Sequence, residues 1–337
     1  MTESRPGARL ADVAAHARVS QATVSRVLNG RAGPSASTRQ AVLAALDVLG
    51  YERPRRPKET KAGLVGLIMP ELSNPIFPAI AQVIEQTLAR HRYIPVLGTQ
   101  TPGGSTEDDL VEVLIARGVD GIIFVSGLHA DMTADHERYA QIAAQGIPFV
   151  LVDGYSERIS APFVSADDAA AMEMAVSHLA ELGHERVGLA LGPERFVPVA
   201  RKVAGFADAM RRRGLDAGHV EHSLFTLAGG QAAAGALLDR GCTAIVCGSD
   251  IMALGAVRGI RARGLSVPEE VSVVGFDDSP MAAFSHPALT TLRKPVEAMG
   301  TAAVDALLDE IGGSTAHRAE FLVQPELVLR GSTARAR

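Results

Sequence analysis

Leu10-Ala-Asp-Val-Ala-Ala-His-Ala-Arg-Val-Ser20, followed directly by Gln21-Ala-Thr-Val-Ser-Arg-Val-Leu-Asn29, is the stretch from which the organisation of the chain can be read. Leu10, Val13, Ala14 and Ala17 recur at the spacing that places apolar side chains on one helix face. Val19-Ser20 interrupts that pattern, and the Ser20 hydroxyl is placed to cap a second helix. In this second helix Val24, Val27 and Leu28 face inward, leaving Gln21, Ala22, Ser25, Arg26 and Asn29 outside the apolar stripe. Two short helices, a tight turn and polar readers at the start of the second helix describe a helix-turn-helix. A small helical hairpin that binds nothing shares this spacing. A third helix is expected over residues 36–49, capped by Ser35, with Val42, Ala45, Leu46 and Leu49 closing a three-helix core.

Helix-turn-helix geometry turns Gln21, Ala22 and Arg26 toward the major groove. Arg26 can donate two hydrogen bonds to guanine O6 and N7, Gln21 can bond adenine or a phosphate, and Ala22 can touch a thymine methyl. Ser20, Thr23, Ser25 and Asn29 suit phosphate positioning or capping, which sets register without reading sequence.

The pattern L-A-D-V-A-x-x-A-x-V-S-x-x-T-V-S-R-V-L-N-G, with S-x-x-T-R-x-x-V from Ser35 to Val42, resembles the DNA-binding domain of the LacI/GalR family. Arg9 departs from it, standing where the family often has a capping Thr. The resemblance implies that the family's operator-selecting positions fall on Gln21, Ala22 and Arg26. It also implies a double-stranded, inverted-repeat operator and a homodimer joined through both halves of the body. The apolar positions of helix 77–91 are the candidate dimer surface.

Charge divides the chain in the same place. Residues 1–58 hold 10 Lys/Arg against 4 Asp/Glu, a net +6, whereas the remainder holds 23 against 34, a net −11. A basic head on an acidic body confines phosphate attraction to one end. No apolar run approaches the roughly 20 residues of a membrane span, and Met1-Thr-Glu-Ser-Arg-Pro-Gly7 lacks a signal-peptide core. A cytoplasmic protein without membrane attachment is expected. Cys242 and Cys247, the only cysteines, lie in or beside an apolar run and read as buried thiols.

The connector at residues 52–62 is polar, basic and proline-bearing. Family members carry a hinge helix here whose Leu enters the minor groove. This connector has no Leu between Leu49 and Leu64, and Pro57 obstructs a helix beginning near Pro54. Arg53, Arg55 and Arg56 can instead contact phosphates or a narrow minor groove; a solvated linker fits the same composition.

From Gly63 onward, apolar runs alternate with amphipathic stretches. Strands are expected at Leu64–Met69, Ile94–Leu97, Gly121–Val125 and Pro148–Val152, then, after Asp153, at Phe163–Ser165, Arg186–Leu191, Val220–Thr226, Ala244–Cys247 and Val271–Phe276. Repeated β-α units imply parallel sheets with helices on both faces, so the fold class is α/β, with two doubly wound subdomains behind a helix-turn-helix head. Gly66-Leu-Ile-Met-Pro70, Asp120-Gly-Ile-Ile123, Val273-Val-Gly-Phe-Asp-Asp278 and Pro287-Ala-Leu-Thr-Thr-Leu292 extend the family resemblance, implying a body like type I periplasmic binding proteins. The expected organisation is a head at 1–51, a linker at 52–62, a first subdomain at 63–160 and 292–322, and a second at 161–291 and 323–332. Three crossings would make a hinge that closes over a ligand.

By that resemblance the effector contacts fall on Ile76, Phe77, Asp153, Phe196, Arg201, Lys202, Phe225, Ser249, Asp250 and Asp277. Carboxylates with a nearby cation suit sugar hydroxyls, and phenylalanines suit the apolar face of the ring. The family's usual Arg is Lys202 here, which cannot make a bidentate fork. No G-x-S-x-G, H-E-x-x-H or Walker loop is present, so neither catalysis nor a metal or cofactor is expected. The resemblance implies a transcriptional repressor whose operator binding is controlled by a small-molecule effector, with a cytoplasmic solute-binding protein and a sugar- or nucleoside-processing enzyme as the alternatives.

Overall fold

The computed structural model describes residues 10–28, 33–49, 51, 62–100, 103–314 and 318–337. They form an N-terminal unit ending at Ala62 and a body beginning at Gly63.

The N-terminal unit contains α1 (Leu10–His16), α2 (Gln21–Leu28) and α3 (Ala36–Leu49). The turn between α1 and α2 is made by Arg18 in the left-handed region, φ 54°, with the Val19 amide donating to Ala14 O at 3.0 Å. Ser20 Oγ accepts from the Thr23 amide at 3.1 Å and Ser35 Oγ from the Thr38 amide at 3.2 Å. Each hydroxyl thereby satisfies one of the orphan donors at a helix start. Val13, Ala14, Val24, Val27, Val42 and Ala45 are buried together, and Leu10, Ala17, Leu28, Leu46, Leu49 and Tyr51 close around them.

The first half of the body runs β1 (Gly63–Met69), α4 (Ile76–Arg90), β2 (Tyr93–Thr99), α5 (Glu107–Ala116), β3 (Gly121–Val125), α6 (Glu137–Ala144), β4 (Phe149–Val152) and β5 (Phe163–Ala166). The second half runs α7 (Asp168–Glu181), β6 (Val187–Leu191), α8 (Val197–Arg212), β7 (Val220–His222), α9 (Leu227–Asp239), β8 (Ala244–Cys247), α10 (Asp250–Ala262), β9 (Ser272–Asp277), α11 (Pro280–Phe284) and β10 (Thr290–Arg293). The chain ends with α12 (Val296–Ile311), β11 (Glu320–Val323) and β12 (Glu326–Val328).

Two six-stranded sheets result, ordered β11-β5-β4-β3-β1-β2 and β12-β10-β9-β8-β6-β7. The strand pairs are parallel except for β10 with β12. Strands of such sheets are covered on both faces, which is why β3, β4 and β8 read as unbroken apolar runs. In the first sheet α4 and α12 cover one face, while α5 and α6 lie over the other. In the second, α7 and α8 oppose α9 and α10.

The expected start of the second subdomain at residue 161 is corrected. Phe163–Ala166 pairs with β4 and β11 of the first sheet, so the chain first crosses after Ala166. It crosses again after β10 and after β11. β7 is also shorter than expected, because Thr226 leaves the strand to cap α9, its Oγ1 accepting from the Gly229 amide at 3.0 Å. The apolar positions of α4, including Ile80, Ile84 and Leu88, are buried against the first sheet. Its exposed positions are Pro78, Gln82, Glu85, Gln86, Ala89 and Arg90, and Val83 is half-buried.

Candidate effector cleft and DNA-reading face

The strands of the two sheets point their carboxyl ends at one cleft of about 190 Å³. Its lining follows from that geometry: Ser126 after β3, Asp153 after β4, Phe196 after β6, Phe225 after β7, Gly248 and Ser249 after β8, Asp277 at the end of β9 and Lys294 after β10. Ile76, Phe77 and Asn74 add the start of α4, and Lys202 reaches in from α8. Among the described residues, six non-glycines have positive φ, and four of them, Ser126, Asp153, Asp277 and Asp278, sit at these strand ends. Such backbone strain concentrates where side chains are aimed for a purpose. Gly192 has no room for a Cβ because the Phe225 ring occupies that space.

Phe77, Phe196, Phe225 and Phe276 give the cleft apolar faces. Charges sit between them. Lys294 pairs with Asp153, and Lys202 pairs with Asp168 while its Nζ lies 4.1 Å from the centre of the Phe276 ring. Burial works against the Lys294 charge, but Asp153 and Asp277 outweigh it and hold its pKa above the usual lysine value. Burial also pushes the Asp277 carboxyl well above the usual range, with Lys294 opposing, and raises Asp168 against the pull of Lys202. The site thus presents carboxyl and ammonium groups already out of water, at little further desolvation cost to a polar ligand.

Eight of the expected contacts line this cleft: Ile76, Phe77, Asp153, Phe196, Lys202, Phe225, Ser249 and Asp277. Arg201 and Asp250 do not. Neighbouring residues on a helix point about 100° apart, so Lys202 faces the cleft and Arg201 faces β11. There Arg201 donates to both carboxylate oxygens of Glu320 at 2.6 and 2.7 Å. Asp250 is buried and accepts from the Ser279 amide and from Thr291 Oγ1, both at 2.6 Å. Ser249 Oγ, not Asp250, caps α10, accepting from the Met252 amide at 3.3 Å. Lys294, Ser126 and Asn74 were not foreseen, and Phe276, which also packs in the core, reaches the cleft as well.

Asp250 carries a testable pH dependence. Burial pushes its carboxyl up to about 6, outweighing the two hydrogen bonds that favour the ionised form. Because the folded value exceeds the unfolded one, this stabilisation is complete below about pH 4 and is lost as pH rises through about 6. Two pKa units correspond to on the order of 3 kcal/mol. Urea melts should therefore show wild type losing that much relative to Asp250→Asn, which stays neutral, between about pH 4 and 7. Parallel pH curves for the two proteins would refute the assignment.

In the N-terminal unit, Gln21, Ala22 and Arg26 are exposed on α2, and Ser20 is exposed at its cap. Thr23 and Ser25 are half-buried, with Thr23 Oγ1 2.9 Å from Ser20 Oγ. Asn29, Arg53, Arg55 and Arg56 lie outside the described residues.

A helix-turn-helix and a two-subdomain cleft in one chain define a DNA-binding regulator with an effector site. Residues 9–54 match the model for bacterial regulatory proteins of the lacI family, and residues 176–333 match that for a periplasmic binding protein-like domain. The HTH-type transcriptional regulator MalR of Streptomyces coelicolor is 66% identical over 334 residues, covering 97% of each chain. The HTH-type transcriptional repressor CytR of Escherichia coli is 33% identical, covering 97% of this chain and 96% of its own. Among solved structures, a CelR–cellobiose complex is 32% identical with a TM-score of 0.73, covering 97% of this chain and all of that one. A lac repressor dimer bound to operator and the anti-inducer ONPF is 28% identical with a TM-score of 0.71, covering 98% and 100%. The chain belongs to the LacI family of bacterial transcriptional regulators. It is a DNA-binding regulator and not an enzyme. Among the described residues no helix is long and apolar enough to cross a membrane.

Proposed function

We propose that this protein is a cytoplasmic homodimeric repressor that reads an inverted-repeat operator with Gln21, Ala22 and Arg26 and binds a sugar or a closely related metabolite in its cleft. The observation that carries the ligand class is the pairing of four phenylalanines with the carboxyl and ammonium groups of Asp153, Asp277, Lys202 and Lys294. Aromatic faces suit the C–H face of a pyranose, and fixed polar groups suit its hydroxyls. The CelR complex with cellobiose and an Enterococcus faecium regulator with bound ribose support the same class. Dimerisation is supported by apolar side chains left exposed in both subdomains, Ile94 and Leu97 on edge strand β2, and Leu224 and Phe284 in the second, the last 90% exposed.

Thermal shift and operator retardation with a sugar panel that includes cellobiose and ribose test this reading. A true effector at 100 times its dissociation constant adds about 2.7 kcal/mol of stability and changes operator occupancy. A panel in which no sugar moves either readout sinks the ligand assignment. In the retardation assay Arg26→Ala should cost about 1–3 kcal/mol and relax preference at one position of each half-site. Uniform weakening with unchanged preference would make Arg26 a phosphate contact.

A further inference from the structure

We propose that Asp131 and Arg195 form a latch across the mouth of the cleft that holds the two subdomains closed and fixes Phe196 against the occupant. Asp131 follows β3 of the first sheet, and Arg195 follows β6 of the second. In the second sheet β6 is separated from β10, the strand that feeds a crossover, by β8 and β9. The contact therefore spans the cleft on the side away from the hinge. Arg201–Glu320 and Lys294–Asp153 also join the subdomains, but both use residues in or beside the crossover segments.

Three interactions make the latch. Arg195 Nε donates to Asp131 Oδ2 at 2.7 Å, the Met132 amide donates to Arg195 O at 2.8 Å, and Asp131 and Phe196 form an isolated antiparallel bridge. The first-subdomain half is preorganised without its partner. Asp131 Oδ1 accepts from the Thr133 amide and hydroxyl at 2.9 and 2.7 Å, which leaves Oδ2 aimed at Arg195. Behind it, Tyr139 Oη accepts from the His129 amide and donates to the buried Glu107 carboxylate, anchoring the segment that carries Asp131. On the other side the Arg195 guanidinium lies 4.5 Å from the centre of the Phe196 ring, and that ring lines the cleft next to Ala130. Closing the latch thus sets one wall of the site. The Arg195 side chain is half exposed, so the ion pair is weak and salt-screened and can open to admit a ligand.

The inference rests on the cleft being the effector site, but its test needs no effector. Hydrogen exchange at Met132 is measured in the full-length protein without sugar. The wild-type amide should be protected, and Arg195→Ala, which leaves the Thr133 contacts and backbone intact, should speed its exchange about three- to fivefold, the range open to a half-exposed pair. Salt at about 1 M should speed wild-type exchange similarly and leave the variant unchanged. Asp131→Asn, which removes the charge, should repeat the Arg195→Ala result. Equal exchange in wild type and variants, no salt effect, or the same acceleration at Ile123 in β3 would each overturn the latch. Failure of the sugar assignment would leave Met132 protected, whereas failure of the latch would leave sugar binding in place.

Discussion

Asp168→Ala is expected to destabilise the body by about 3–5 kcal/mol, the range found when one partner of a buried ion pair is removed. Asp168 opens α7 and Lys202 comes from α8, so their pair ties the two helices together beside the cleft. Both side chains are buried. Removing the carboxylate strands the Lys202 ammonium, and the Phe276 ring at 4.1 Å cannot replace a full negative charge. Asp277 lies close enough for Lys202 to favour its ionised form, and this partial substitute places the loss nearer the lower bound. The raised pKa of Asp168 shows that the pair already bears a desolvation cost, with burial its largest cause. Removing both charges should therefore be far milder than removing one: Asp168→Leu with Lys202→Met is expected to recover most of the stability. Urea midpoints at unchanged slope measure both effects. A single-variant loss below about 1 kcal/mol, or a double variant as weak as the single, would show that the pair is not desolvated.

The same residues show how far the sequence could be read. Apolar runs between helical stretches located the sheet strands through β9; for the inner strands such as β3, β4 and β8 this follows because a strand buried on both faces has little freedom in composition. The last three strands went unseen. β10 and β12 are short, and β11 carries exposed Phe321 and Leu322 on a sheet edge, so none shows an uninterrupted apolar pattern. Lys294 went with them, since its place in the cleft depends on its following β10. β5 was assigned to the wrong half because chain order carries no information on which sheet a four-residue strand joins. Arg201 and Lys202 were inseparable in sequence, and only the roll of α8 sends one to Glu320 and the other to the cleft. The reading head was legible nearly residue by residue, since caps and helical periodicity are local.

Val24→Asp is expected to abolish operator binding while leaving the melting of the body unchanged. Val24 is fully buried among Val13, Ala14, Val27, Val42 and Ala45, the only buried apolar residues in the described part of the N-terminal unit. A core of that size rarely supplies more than about 3–5 kcal/mol of net stability. A carboxylate placed there has no partner, and breaking or omitting the partner of a buried charge costs about as much as this unit has to lose. Protonation would lessen the penalty without restoring the valine methyls, whose packing joins α2 to both neighbouring helices. The exposed readers Gln21 and Arg26 would remain in the chain, but no formed α2 would present them together. Gel retardation should show no operator complex even at concentrations about a hundredfold above the wild-type midpoint, a deficit of at least about 2.7 kcal/mol. Circular dichroism should show loss of the head's helices, and calorimetry should retain the body's main transition. Operator binding within about tenfold of wild type would mean that Val24 is not the centre of this core. Loss of both DNA binding and the body's transition would mean that the two units do not fold independently.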